Sequence, residues 1–286
     1  MKKILVTGAN GQLGQCLQKI SSQFEEFEFI FTDSETLDIT NKEEVNDFFW
    51  QNAPDFCINA AAYTAVDLAE TEVEKAFLVN ADGTENLAEV CAENNAQFIH
   101  VSTDYVFDGE NNLAYTEEEF TNPLGVYGAS KLAGDELALE VNPCSVILRT
   151  SWVYSEFGKN FVKTMLSLFA TKQELNVVAD QFGQPTNAND LAEAIMKIIK
   201  SEKITPGIFN FSNLGRISWF DFAEKIAELS DAKIKLNAIE TSQYPTPAKR
   251  PKNSVLDLDK ISKTYAVQLK PWEESLEDCV QILQNN

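Results

Sequence analysis

The chain has 286 residues, of which 44% are hydrophobic and 23% charged, the composition of a folded globular protein rather than a disordered or coiled-coil one. At roughly 150 residues per domain that length predicts two units with enough buried surface to need no staples. Its 23 basic and 44 acidic side chains leave a net charge of −21, so the averaged field repels polyanions and argues against a nucleic-acid partner.

Ile4, Leu5 and Val6 are the only apolar residues before a polar turn in MKKILVTGAN, too few for a secretion signal. No window approaches the roughly 18 apolar residues that span a bilayer, so no membrane contact and a cytoplasmic location are expected. Five cysteines, at 16, 57, 91, 144 and 279, form no CxxC pair and read as buried, reduced thiols.

Strand and helix patterns alternate through the first half. Apolar runs at 3–7, 28–32, 56–59, 98–102 and 145–150 are strand-sized with little polar alternation, as strands buried on both faces should be. Between them, 14–22, 42–52, 72–94 and 130–140 carry apolar residues near helical spacing. The expected class is α/β, a doubly wound parallel sheet with crossover helices. After Arg149 turn residues cluster at 181–189 and 241–253, with one more core strand at 208–211 and helices at 219–229 and 272–283. This divides the chain into a sheet domain, 1–150 with a return near 187–211, and a smaller substrate-binding region, 151–186 and 212–286.

Gly8-Ala9-Asn10-Gly11-Gln12-Leu13-Gly14 leaves the first strand and opens a helix. Glycines there permit a tight turn and close backbone approach, and a helix N-terminus offers unpaired N–H groups and partial positive charge to a diphosphate. Asp33 closes the second strand about twenty residues on, where an acidic side chain accepts hydrogen bonds from an adenosine ribose; in Thr-Asp-Ser it is equally good turn chemistry. Asp38 and Ile39 could instead flank the adenine. Ligands of such sheets gather at the carboxyl ends of the strands, which is where Ala60 to Thr64 and Thr103 to Asp104 fall.

Tyr127 and Lys131 stand four apart in Val-Tyr-Gly-Ala-Ser-Lys, so one helix face carries both. An ammonium beside a phenol favours the phenolate and brings a group of pKa about 10 toward useful acid–base range. His100, the single histidine, sits inside a strand pattern and reads as a satisfied core residue.

Together, TGxxGxxG, the Asn-Ala-Ala-Ala run at 59–62, a Ser/Thr-bearing strand end and YxxxK resemble the extended short-chain dehydrogenase/reductase superfamily. Ser-Thr-Asp-Tyr-Val-Phe-Asp-Gly at 102–109, Arg-Thr-Ser-Trp-Val-Tyr at 149–154, Asp-Gln-Phe-Gly-Gln-Pro-Thr at 180–186 and Arg-Pro-Lys-Asn-Ser at 250–254 resemble, within it, the dTDP-4-dehydrorhamnose reductases. The resemblance implies a Rossmann-like fold and reduction by NADPH or NADH of the C4 ketone of dTDP-4-dehydro-L-rhamnose. It makes Tyr127 the proton donor, gives Lys131 the nicotinamide ribose and the phenol's pKa, and has Thr103 hydrogen-bond the reacting oxygen. By the same resemblance Gly11, Gln12, Leu13, Asp38, Ile39, Ala62, Tyr63 and Thr64 belong to the dinucleotide site, and Asp104 and Trp152 to the sugar nucleotide.

An acidic chain that holds a diphosphate needs local positive charge, and Lys249-Arg250-Pro251-Lys252 is the densest basic run, with Arg250 the phosphate candidate. Some relatives bridge two subunits through magnesium, using a carboxylate of the first helix and others near Asn189, Asp190 and Glu193. Here no acid follows Gly14 before Glu25, so no metal is expected and a monomer or weak homodimer replaces the bridged dimer. The competing readings are an epimerase or dehydratase of the same superfamily, for which Asp104-Tyr105 lacks the usual Asp-Glu pair, and a non-catalytic regulatory relative of the methionine adenosyltransferase type.

Overall fold

A computed structural model describes residues 1–285. Six strands, β1 (Lys2–Thr7), β2 (Phe27–Phe31), β3 (Phe56–Asn59), β4 (Gln97–Thr103), β5 (Val146–Thr150) and β6 (Gly207–Asn210), form one sheet in the order β6-β5-β4-β3-β1-β2, parallel throughout. Each expected strand is present with its ends within one residue.

The two faces of the sheet are read off alternate residues of β1. Ile4 and Val6 join Ile58, Ile99 and Leu148 in a core under the helices Gln12–Ser21 and Ala188–Ile199, while Leu5 turns to the opposite core with Cys57, Phe98 and Phe49 of the helix Lys42–Asn52. Burial on both faces is why these strands lack polar alternation. Strand order reverses around β1, which has β2 on one side and β3 on the other, and that switch opens a crevice at the carboxyl ends.

Two helices differ from expectation. The stretch 72–94 is not one helix: Val73–Phe77 runs into a wider turn at Leu78–Asp82 before Gly83–Glu93 continues. The extra residue in that turn lets buried Asn80 hold Tyr63 from both sides, accepting from its N–H at 2.8 Å and donating to its carbonyl at 3.1 Å. The helix expected at 130–140 begins at Val126, because the Glu70 carboxylate accepts from the Val126 N–H at 2.9 Å and satisfies an end that no nearby side chain caps.

Beyond β5 the pattern is shorter and more irregular. Glu174–Val178 pairs in parallel with Lys235–Ile239, and a separate apolar cluster gathers Tyr154 of the short strand Val153–Tyr154 with Val162, Phe222, Ile226 and Leu276 from the helices Phe161–Phe169, Trp219–Leu229 and Trp272–Asn285. Ile261, Tyr265 and Val267 return to the main-sheet core. Cys16, Cys57, Cys91 and Cys279 are buried free thiols, but Cys144 is exposed, contrary to expectation, because it lies in the turn between the helix Val126–Val141 and β5.

Candidate active site

A cleft of about 930 Å³ opens along the carboxyl ends of the sheet. One wall is the loop after β1. Gly8 has φ +67°, and a Cβ there would lie 2.6 Å from the Ala60 carbonyl oxygen; one on Gly14 would lie 2.5 Å from the Gly8 carbonyl oxygen. The loop can therefore fold back on β3 and its own helix only with glycine at both positions. The helix it opens has no side-chain cap at Gly11 and no acidic residue in its first turn, so its free N–H groups and positive end face the cleft uncompensated. A dinucleotide diphosphate fits this cradle.

Gly8, Gly11, Gln12 and Leu13 line the cleft, whereas Gly14 packs behind it. Asp33, Asp38 and Ile39 line its far end, and Ala60, Ala62, Tyr63 and Thr64 its floor. Asp33 takes up the turn chemistry its sequence context offered while lining the cleft. Its carboxylate accepts from Thr36 and from the Glu35 N–H in a local turn and takes Asn10 as a further donor. Those bonds, the Thr36 hydroxyl first, hold it below the ordinary carboxylate range, so an anion faces this end of the cleft.

The opposite wall carries Thr103, Asp104, Tyr127, Lys131 and Trp152. The Thr103 hydroxyl donates to the Asp104 carboxylate at 3.0 Å and accepts from the Tyr105 N–H at 3.2 Å, which fixes its orientation. Burial pushes the Asp104 carboxyl up to about 6 against the opposing Ser254 and Thr103 hydroxyls. Tyr127 meets Tyr105 edge to face, with ring centroids 5.6 Å apart. Burial, opposed by the Thr103 hydroxyl, pushes the Tyr127 phenol up to about 12 and reverses the lowering expected from Lys131, so at neutral pH it is a loaded proton donor. Lys131 is 1% exposed; its Nζ donates to the Val101 carbonyl at 2.8 Å and lies 3.0 Å from His100 Nε2.

Along its whole described length, residues 1–285, the chain matches the family model described as the RmlD substrate binding domain. It is 45% identical to dTDP-4-dehydrorhamnose reductase of Aggregatibacter actinomycetemcomitans, over 97% of this chain and 98% of that protein. The chain belongs to the dTDP-4-dehydrorhamnose reductase family. A crystal structure of such a reductase from Clostridium acetobutylicum superposes with a TM-score of 0.95 at 43% identity, covering 99% of both chains. A Bacillus anthracis reductase solved in complex with NADP has a TM-score of 0.95 at 38% identity, covering 99% of this chain and all of that one.

Arg250 is not on the cleft wall. Its guanidinium grips Asp67 through two bonds of 3.0 and 2.9 Å, tying the basic loop to the short helix Val66–Ala69. Trp152 has φ +47° and stacks on Trp219 with ring centroids 3.5 Å apart. Trp219 also lines the cleft and was not anticipated; the two indoles are 67 residues apart and nothing local to either marks the pair. Gly158, which packs against the Gln12 side chain, and Lys159 also line the cleft and were likewise missed.

Among the described residues no group of three or more His, Cys, Asp or Glu side chains converges on a cation position. The first helix instead presents Lys19, whose ammonium pairs with Glu156 at 2.6 Å and donates to Asn189 at 3.3 Å.

Proposed function

We propose that this chain reduces the C4 ketone of dTDP-4-dehydro-L-rhamnose to dTDP-L-rhamnose with NADPH or NADH. The observation that carries the reading is the opening of the glycine cradle and the Thr103–Tyr127–Lys131 group onto one cleft. The bound dinucleotide supplies hydride from its nicotinamide to C4. Gly8, Gly11, Gln12 and Leu13 would hold its diphosphate, with Gly14 packing the loop from behind, Asp33, Asp38 and Ile39 its adenosine end, and Ala60, Ala62, Tyr63 and Thr64 the floor beneath it. As the carbonyl electrons move to oxygen, Tyr127 gives its phenolic proton to that oxygen, and Thr103 hydrogen-bonds the developing charge by turning its one hydroxyl proton away from Asp104. Lys131 serves the nicotinamide ribose and the phenolate that Tyr127 becomes. Asp104 and Trp152, the latter backed by Trp219, hold the sugar, and Arg250 exchanges Asp67 for the substrate diphosphate, a better bidentate partner for a guanidinium.

We assign nucleotide-sugar biosynthesis in the cytoplasm, consistent with five free cysteines, and a monomer or weak homodimer that needs no metal. Size measured by light scattering with and without a chelator tests the last point; a dimer that dissociates as stoichiometric magnesium is removed overturns it. The activity is tested by following the absorbance of added NADPH, and separately NADH, with enzymatically generated dTDP-4-dehydro-L-rhamnose. Stoichiometric oxidation with formation of dTDP-L-rhamnose is expected, and binding of dinucleotide without oxidation contradicts it.

A further inference from the structure

His100 is fully buried on β4 beside Asn59 of β3, with which it is in register. The Asn59 amide can be oriented without reference to the histidine. Its Oδ1 accepts from the Ala61 backbone N–H at 3.2 Å, and a backbone N–H can only donate. Its Nδ2 is therefore the donor facing His100 Nδ1 at 3.1 Å and Thr84 Oγ1 at 3.4 Å; the Thr84 hydroxyl has spent its own proton on the Asn80 carbonyl at 2.8 Å. Nδ1 of His100 must then carry a lone pair, and a neutral imidazole must carry its proton on Nε2. That nitrogen lies 3.0 Å from Lys131 Nζ.

We infer that His100 is a positioning residue for Lys131: Asn59 holds it in the Nε2–H tautomer, and the N–H so presented to Nζ lowers the lysine's affinity for a proton. An ammonium opposite an N–H is a donor facing a donor, whereas a neutral amine accepts from His100 and still donates to the Val101 carbonyl. The charges around Nζ agree. On its own helix Lys131 faces Asp135, with Tyr127 one turn before it; from β5, Arg149 donates to Asp135 at 3.3 Å; Asp104 follows β4. Asp135 is ion-paired to Arg149 through Oδ2 alone, while its Oδ1, which accepts no hydrogen bond among the described residues, lies 3.8 Å from His100 Nε2, so the proton on Nε2 faces a carboxylate oxygen as well as Nζ. Burial and the lysine hold the His100 imidazole well below its ordinary range, and burial takes Lys131 down to about 8 against the opposing pull of Asp135.

The inference deepens the proposed role of Lys131 and rests on it, but its first test needs no substrate. Because His100 is the single histidine, the ring nitrogens of 15N-labelled protein are assigned without ambiguity. A protonated Nε2 and an unprotonated Nδ1, unchanged from about pH 5 to 8, are expected. An Nδ1–H tautomer, or an imidazolium titrating near its ordinary value, overturns the proposal whatever the enzyme reduces. The second test is His100→Phe, which keeps a ring against Phe98 and removes the N–H. The ionisation seen in the pH dependence of dinucleotide binding and of kcat/KM should rise by about one unit, a tenfold gain in proton affinity, with His100→Gln restoring part of the difference. A folded His100→Phe protein with an unmoved profile overturns it.

Discussion

The two walls of the cleft are built by different means. The dinucleotide side is backbone: two glycines, an uncapped helix end and strand termini in register, assembled within a short first segment of chain. The sugar side is side chains brought from far apart: Trp152 on Trp219, backed by Gly183, where a Cβ would meet the Trp152 ring at 2.6 Å, with Arg250 on Asp67 outside the wall. A site made of backbone tolerates little, because its geometry is the fold itself. One made of side chains over a separate apolar cluster can change residue by residue without disturbing the sheet. Damage to the first wall should therefore appear in stability and cofactor binding together, and damage to the second mainly in substrate kinetics.

The sharpest break in that contrast is at the reacting centre, where the walls meet. Tyr127→Phe removes one proton donor and should lower kcat by roughly 10² or more while leaving dinucleotide affinity within a few-fold. Steady-state rates and a fluorescence titration check both halves, and unchanged turnover contradicts the role. On the backbone wall, Gly8→Ala places a Cβ against Ala60 at a positive φ and should cost about 1–3 kcal/mol of stability together with dinucleotide binding. Urea midpoints and binding isotherms measure the two, and loss of neither means the loop has room that its geometry denies.

Asp104 sharpens the comparison through pH. Its folded carboxyl sits at about 6 against an unperturbed 3.8, so the acid form is the one the fold favours. Its contribution is fully present below the ordinary carboxylate range and is lost as pH rises through about 6. Asp104→Asn removes that loss, so the stability difference between about pH 4 and pH 7.5 should shrink by on the order of 2 kcal/mol in the variant, read from urea midpoints at the two values. An identical pH dependence in both proteins excludes it. The smallest effect belongs to Arg250, outside the sugar wall. Arg250→Ala breaks a partly exposed ion pair worth no more than about 1 kcal/mol, so Tm should barely move while substrate KM rises several-fold. An unaltered KM leaves Arg250 a surface partner of Asp67 and nothing more.

The same contrast decides what could be read from the residues alone. The phosphate loop was legible because the requirement for glycine is local, and Tyr127 with Lys131 because one helical turn fixes their relation. The wider turn at Leu78–Asp82 and the start of the helix at Val126 were not, since each depends on a partner remote in sequence, Tyr63 and Glu70. Trp219 was illegible for the same reason. His100 was read as a satisfied core residue, and it is buried with both ring nitrogens engaged; the partner that gives it a part in the site, Lys131, lies 31 residues away on another element.

The central claim is that hydride and proton meet at one carbonyl between these walls. Reaction with dinucleotide deuterated at the transferring position of the nicotinamide, followed by NMR of the sugar nucleotide, tests it most directly. Deuterium at C4 of dTDP-L-rhamnose, one atom per cofactor oxidised in the native protein and none above background in Tyr127→Phe over the same interval, is the predicted result. Oxidised cofactor without label at C4, or label retained in the Tyr127→Phe product at the native rate, contradicts the account.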